Sequence, residues 1–520
     1  MVVSRDGMVA ASHPLAAQIG RDILKRGGNA VDAAISTAAA LTMVEPTSNG
    51  IGGDCFALVW KDGSLYSLNA SGWAPSALAP DHPGLSGADE VPRYGWLPVT
   101  VPGAPAGWSA LSRRLGRLPF GELFEEVIEL AERGFPIAPT VGASWSRAFE
   151  IYSTQCRGAE FEPWFELFAP EGRPPRVGEK WKPSYFADTF RAIAGSGGED
   201  FYRGELAEKL LRFSGETGGL LSREDLSSYR PEWVEPVSVS YKGYEIWEPP
   251  PNGQGLTALM ALGMLAKDDL GKLLPAEAVH LQVEAMKLAF ADTRAHIADP
   301  DYMKVPSGAM LDPAYLKMRR ETIGSKAEVR APGTPEHGGT VYFAVADAEG
   351  TMVSFIQSNY MGFGSGLVVP ETGISLHNRG CNFSLLPDHP NRIGPRKRPY
   401  HTIMPGFITR NGEALGPFGV MGGFMQPQGH LQVACHMIDY NSNPQEALDA
   451  PRWQWSGANR LLLEEGFAED VAAELARRGH ETLVDTASSS FGRGQVILRD
   501  EEGVLWGATE KRCDGAIGVC

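Results

Sequence analysis

A threonine can act as a nucleophile without a separate base when it is the first residue of a chain, because its own α-amine then takes the hydroxyl proton. Such an amine titrates at about 7.7–8.0, so it can do this near neutral pH. Thr340 is placed for this chemistry. It follows Val329-Arg-Ala-Pro-Gly-Thr-Pro-Glu-His-Gly-Gly339, which has no apolar periodicity and reads as an exposed, flexible linker, and it opens the β-rich Thr340-Val-Tyr-Phe-Ala-Val-Ala-Asp347. Gly339 permits backbone conformations that favour attack of the threonine hydroxyl on the preceding carbonyl. An enzyme of this kind is made as a precursor and cut between Gly339 and Thr340. Read by composition alone, the same stretch is a linker between two domains that enters a sheet, and the motif by itself does not separate the two.

Other chemistries find less support. The chain has no GxSxG elbow and no HExxH or similar spacing among its 11 histidines, so neither an ordinary serine hydrolase nor a metal site is expected, and no cofactor is implied. Six cysteines are scattered without a CxxC pair, which is not a disulfide framework and suits a reducing cytoplasm. Gly362-Phe-Gly-Ser-Gly366 looks like a nucleotide loop but lacks the strand–turn–helix context, and reads as a loop on the substrate side. Arg392, Arg396, Lys397 and Arg398 form a short basic cluster expected to make structural ion pairs. With 47 Lys+Arg against 63 Asp+Glu and a net charge of -16, neither a nucleic acid nor an anionic membrane is an expected partner. The longest near-apolar run, Ala33 to Val44, includes Ser36, Thr37 and Thr42 and falls short of the ~20 residues that span a bilayer. No signal-peptide pattern opens the chain, and a cytoplasmic location is expected.

The elements that must position Thr340 are legible in outline. His13-Pro14 opens a helical pattern that Gly27-Gly28-Asn29 ends, and Ala30 to Val44 is helical by propensity, with small residues suited to close packing on a sheet. Asn49 to Asp54 is a turn before the strand Cys55 to Trp60. Phe120–Arg133, Tyr185–Ala194 and Leu206–Phe213 read as helices and Tyr241 to Trp247 as a single strand. Pro249 to Gly255 is a rigid turn before a helix from Leu256. After Thr340 to Asp347, Asp347-Ala-Glu-Gly350 signals a hairpin turn into a second strand, Thr351 to Ser358.

Many separate stretches, in order, resemble the γ-glutamyltranspeptidase family of N-terminal-nucleophile hydrolases. Before the linker they are Gly27-Gly-Asn-Ala-Val-Asp-Ala-Ala34, Glu45-Pro46 with Gly50-Ile-Gly-Gly53, Pro249-Pro-Pro251, Glu284 to Asp292 and Asp299 to Pro306. After it come Phe363-Gly-Ser-Gly366, Gly394-Pro-Arg-Lys-Arg-Pro399, Gly422-Gly423 and Ala450-Pro-Arg452. The resemblance implies a mixed α/β fold, a four-layer αββα sandwich, with a large chain 1–339 and a small chain 340–520 that starts at the Thr340 nucleophile. The two chains would pair as a heterodimer, with a dimer of heterodimers as the larger assembly. By the same resemblance, Gly422 and Gly423 supply oxyanion-hole N–H groups and Ser358 supports the nucleophile.

The departures from the family's pattern concern the acyl pocket. The family holds the γ-glutamyl α-carboxylate with an arginine just before an Ala-Pro; in Asn69-Ala-Ser-Gly-Trp-Ala-Pro75 that place is Ser71. It holds the α-ammonium with acidic or amide side chains in the stretch matching His377 to Asn382, where this chain has Arg379 and Asn382. A cation there repels an ammonium group. The paired serines become His401 and Thr402, and an asparagine becomes Tyr360. Arg379 offers a planar fork for a carboxylate, with His401 and Tyr360 as further donors. The expected substrate is a small amide whose acyl group ends in a carboxylate without an amine, as for the family's glutaryl-type cephalosporin acylases and oxamate amidohydrolase. True γ-glutamyl transfer or glutathione hydrolysis, and an unprocessed binding protein, are the alternatives.

Overall fold

In the computed structural model, which describes residues 1–329 and 339–520 (the side chains of 488 and 489 apart), two seven-stranded antiparallel sheets lie face to face between outer layers of helices. One sheet runs Ala516–Val519, Gly7–Ala11, Gly339–Asp347, Met352–Tyr360, Asp54–Lys61, Ser64–Ala70, Glu232–Val234. The other runs Val2–Ser4, Leu505–Thr509, Arg493–Arg499, Glu413–Met421, Gly406–Arg410, Tyr244–Glu248, Val237–Tyr241. This is the expected αββα sandwich.

The period of two explains why the central strands are apolar on both faces. Val341, Phe343 and Val345 point to the helices, while Ala344 and Ala346 pack with Met8, Phe407, Ile497 and Leu505 between the sheets. On the helical side, Ala30–Val44 is buried along its whole length, which its run of small residues permits. Asn29 and Asp32 form a capping box at its start. Gly255–Leu265, Pro275–His296 and Met425–Ile438 cover the second sheet. No helix among the described residues is long and apolar enough to cross a membrane.

Strands from before and after residues 330–338 share both sheets. Gly339–Asp347 pairs with Gly7–Ala11, Met352–Tyr360 with Asp54–Lys61, and Gly406–Arg410 with Tyr244–Glu248. A linker between two independent domains is therefore the reading this topology contradicts. Residues 330–338 of the expected linker lie outside the described residues.

Two local expectations need correction. Tyr241 to Trp247 is not one strand: Lys242 (φ 52°) and Gly243 (φ 86°) both adopt left-handed conformations and turn the chain into a hairpin. Phe120–Arg133 is a short 3-10 turn, Phe120–Phe124, followed by the helix Glu125–Arg133. The basic cluster is partly an ion-pair loop as expected, Arg396 meeting Glu224 and Arg398 meeting Glu232, while Lys397 caps the Pro390 carbonyl.

Candidate active site

Three adjacent strands end together, and each brings one polar side chain. Asp54 opens its strand opposite Ser358, and Thr340 lies beside Ser358 on the other flank. The register between Gly339–Asp347 and Met352–Tyr360 slips at this point, Gly339 facing Tyr360 but Val341 facing Gln357, so Thr340 sits in a bulge. Thr340 Oγ1 lies 3.1 Å from Ser358 Oγ, with both residues fully buried. Ser358 Oγ also accepts the Tyr360 N–H at 2.7 Å, which fixes the hydroxyl oxygen in place.

From Tyr360 the site continues into a buried cation. The Arg379 guanidinium lies over the Tyr360 ring, 4.3 Å from its centroid. Its Nη1 donates to Thr402 Oγ1 at 2.5 Å, whereas Nε and Nη2 are buried without a hydrogen-bond partner among the described residues. A guanidinium that is 0% exposed and leaves two of its nitrogens unpaired is unusual, because a buried donor costs about 1–3 kcal/mol when unpaired. Burial draws its pKa down to about 10, against the opposing pull of Asp54. It remains a cation at neutral pH.

Asp54 is the residue that sequence reasoning missed, since the glycine motif was read only as far as Gly53. Its Oδ2 accepts the Nε2–H of His401 at 2.9 Å and its Oδ1 accepts the Gly103 N–H at 3.2 Å, with a further backbone hydrogen bond from Gly72. Glycine is required at both backbone donors. A Cβ on Gly103 would stand 1.9 Å from the Ala70 carbonyl oxygen, and one on Gly72 1.6 Å from that of Val101. Burial pushes the Asp54 carboxyl up to about 7, while Arg379 and the two N–H groups pull it down. His401 is held well below its ordinary value by burial first and then by Arg379 and His377, so it is neutral. Its Nδ1 accepts the Ile403 N–H, which puts the proton on Nε2 and commits it to Asp54. His377, 3.7 Å from Asp54, is lowered to about 3 by burial and then Arg379. The one signal for Asp54 in the sequence was an acid between Gly53 and an unbroken apolar strand.

Gly422 (φ 136°) and Gly423 (φ 59°) turn the end of Glu413–Met421 into the helix Met425–Ile438. Met421 packs with Tyr342 between the sheets, which brings this turn to the strand that carries Thr340. Gln254, a second residue not singled out, donates from Nε2 to the carbonyls of both Thr402 and Gly423 and so ties the arginine's anchor to the glycine pair.

The remaining predicted residues are near but engaged differently. The Ser71 hydroxyl donates to Asn69 Oδ1 at 2.7 Å, close to Asn252 Oδ1, so it serves the wall behind Asp54. Asn382 and Tyr360 line a cavity of about 490 Å³ together with Arg93, Arg294, Tyr400 and Phe424, and the Asn382 Nδ2 is buried there without a partner among the described residues. Among the described residues one trio, His280, Glu284 and His480, has the spacing of metal ligands. The Lys287 ammonium already sits 2.7 Å from Glu284 Oε1 and also reaches Asn459, so a cation is supplied by the chain itself.

Together these features give a hydroxyl pair at a strand start, a glycine turn on the facing sheet and a buried cation. That is an arrangement for acyl transfer through an ester. The family model described as Gamma-glutamyltranspeptidase matches residues 16–520. The glutathione hydrolase-like YwrD proenzyme of Bacillus subtilis (strain 168) is 34% identical, with 100% of this chain and 99% of that one covered. The oxamate amidohydrolase proenzyme of Klebsiella pneumoniae is 35% identical over 99% of this chain and 98% of its own. The crystal structure of cephalosporin acylase from Bacillus halodurans superimposes with a TM-score of 0.97 at 52% identity, covering 100% of this chain and 96% of that one. The chain therefore belongs to the gamma-glutamyltranspeptidase family of N-terminal-nucleophile amide hydrolases.

Proposed function

We propose that the chain is a precursor that cuts itself between Gly339 and Thr340, and that the resulting pair of chains, 1–339 and 340–520, hydrolyses amides whose acyl group ends in a carboxylate and carries no α-ammonium. The observation that carries this reading is Arg379, fully buried one residue away from the Thr340–Ser358 pair through Tyr360, with Nε and Nη2 unpartnered among the described residues. Two parallel N–H donors match the two oxygens of a carboxylate. Relatives named as oxamate amidohydrolase and cephalosporin acylase support it.

In self-cleavage Thr340 Oγ1 adds to the Gly339 carbonyl carbon and the C–N bond breaks, leaving an ester and a free α-amine. Water hydrolyses the ester and releases the Gly339 carboxylate. In turnover the Thr340 amine takes the hydroxyl proton as Oγ1 attacks the substrate carbonyl, with Ser358 as hydrogen-bond donor to Oγ1. The N–H groups of Gly422 and Gly423 hold the oxyanion. The amine proton passes to the departing nitrogen, the acyl group stays on Thr340, and water attacking the ester completes hydrolysis. Arg379, oriented by Thr402, fixes the distal carboxylate, and Asn382 and Tyr360 line its approach.

The test has two parts. Denaturing mass measurement and N-terminal sequencing should show fragments of about 37 and about 20 kDa from the 56.1 kDa chain, the smaller beginning at Thr340, and Thr340→Ala should stay whole. Glutaryl-p-nitroanilide should be cleaved faster than γ-glutamyl-p-nitroanilide, with ammonia release from oxamate assayed beside them. A preference for the γ-glutamyl compound would overturn the acyl assignment. A chain that never cuts and acylates with nothing would leave a binding protein.

A further inference from the structure

A second cavity, of about 450 Å³, borders the glycine turn. It is lined by Met421 and Gly422, and Arg93 lines both this cavity and the one that holds Tyr360 and Asn382. Three arginines line it, Arg93, Arg147 and Arg493, and among the described residues no aspartate or glutamate does. In a chain of net charge -16 this concentration of positive charge runs against the composition. Arg493 is partly answered by the buried Glu45 at 3.1 Å behind the wall, while Arg147 stands exposed on the helix Pro139–Gln155. Hydroxyl-bearing residues, Ser48, Ser144 and Tyr94 among them, add to the polar lining.

Resting on the reading above, the geometry constrains where the two halves of an amide go. The acyl half runs from Thr340 toward Tyr360 and Arg379, and the oxyanion points at Gly422 and Gly423. The departing nitrogen then leaves on the side where Gly422 opens into the second cavity. We propose that this cavity is the leaving-amine subsite and that it selects amines bearing a carboxylate or similar anion, with Arg147 and Arg93 as its specificity-determining residues. The charges are solvent-accessible, so the selection is moderate and sensitive to salt.

The test compares p-nitroanilides with their 3-carboxy-4-nitroanilide counterparts, read on glutaryl and on γ-glutamyl donors alike. The wild-type enzyme should favour the carboxylated anilide by about fivefold in kcat/KM. That ratio should fall toward one in Arg147→Gln and Arg93→Gln, remain in Arg147→Lys, and shrink as NaCl rises from about 20 to about 500 mM. Cleavage without any such preference, or a preference that neither Arg147→Gln nor Arg93→Gln changes, overturns this subsite and leaves the acyl reading intact. Cleavage of only the γ-glutamyl pair with the ratio preserved overturns the acyl reading and supports the subsite. Failure to cleave either pair overturns both.

Discussion

Replacing Arg379 by glutamine removes a cation that bonds Thr402 through Nη1 and whose Nε and Nη2 have no partner among the described residues. In a buried site each charge-assisted hydrogen bond to a carboxylate contributes about 1.5–3 kcal/mol, so two contribute about 3–6 kcal/mol. At ~1.4 kcal/mol per factor of ten, kcat/KM for a glutaryl anilide should fall by roughly 10²–10⁴. The fold should survive, because Arg379 is what pulls the Asp54 carboxyl down toward about 7, and without it Asp54 remains protonated and neutral at pH 7. The assay is steady-state hydrolysis of glutaryl-p-nitroanilide beside valeryl-p-nitroanilide, which has nearly the same length but no carboxylate. The loss should be confined to the glutaryl compound, and Arg379→Lys should fall between, since an ammonium cannot span two oxygens in the plane of a fork. An equal loss on both substrates would show that Arg379 only holds the loop, and a glutaryl loss below about tenfold would refute the assignment outright.

Ser358→Ala removes the hydroxyl 3.1 Å from Thr340 Oγ1 and leaves the Tyr360 N–H without its acceptor. Self-cleavage followed on denaturing gels should slow, and kcat of the processed enzyme should fall by roughly 10–100-fold with KM little changed, Ser358→Thr restoring part of both. For Asp54 the folded pKa of about 7 lies above the ordinary carboxylate value of 3.8, so between those values the native state holds a proton that the unfolded chain has lost. Stability is then greatest below about pH 4, declines by at most ~1.4 kcal/mol per pH unit up to about 7, and is flat in this contribution above it. Urea unfolding of Asp54→Asn should lack that decline, so its stability relative to wild type should rise from pH 5 to pH 7; parallel pH profiles would show that Asp54 does not titrate there. Because an ionised Asp54 competes with a substrate carboxylate for Arg379, kcat/KM on glutaryl-p-nitroanilide should also drop through about pH 7 in wild type and not in Asp54→Asn.

Much of the fold follows from local chemistry. Ala30–Val44 forms the helix its small residues and Asn29–Asp32 cap call for, and Gly339–Asp347 alternates between two apolar faces because a strand has a period of two and both sides are covered. The single strand expected over Tyr241 to Trp247 failed because nothing in its hydrophobic pattern marks Lys242 as a residue that will accept a left-handed conformation.

The sequence by itself determined which residues can do chemistry. Thr340 after a glycine pair, Gly422-Gly423 and the substitutions at Arg379, His401 and Thr402 are all statements about residue type and order, which the chain carries explicitly. Only the tertiary structure decided how these groups are used. Asp54 meets His401 across 347 residues of sequence, Gln254 joins Thr402 to Gly423, the Ser71 hydroxyl turns to Asn69, and Arg379 is left with two buried donors open. A hydrogen-bond partner is chosen by packing, because desolvation makes each buried polar group take whichever acceptor or donor the fold brings within reach, and spacing along the chain holds no record of that choice.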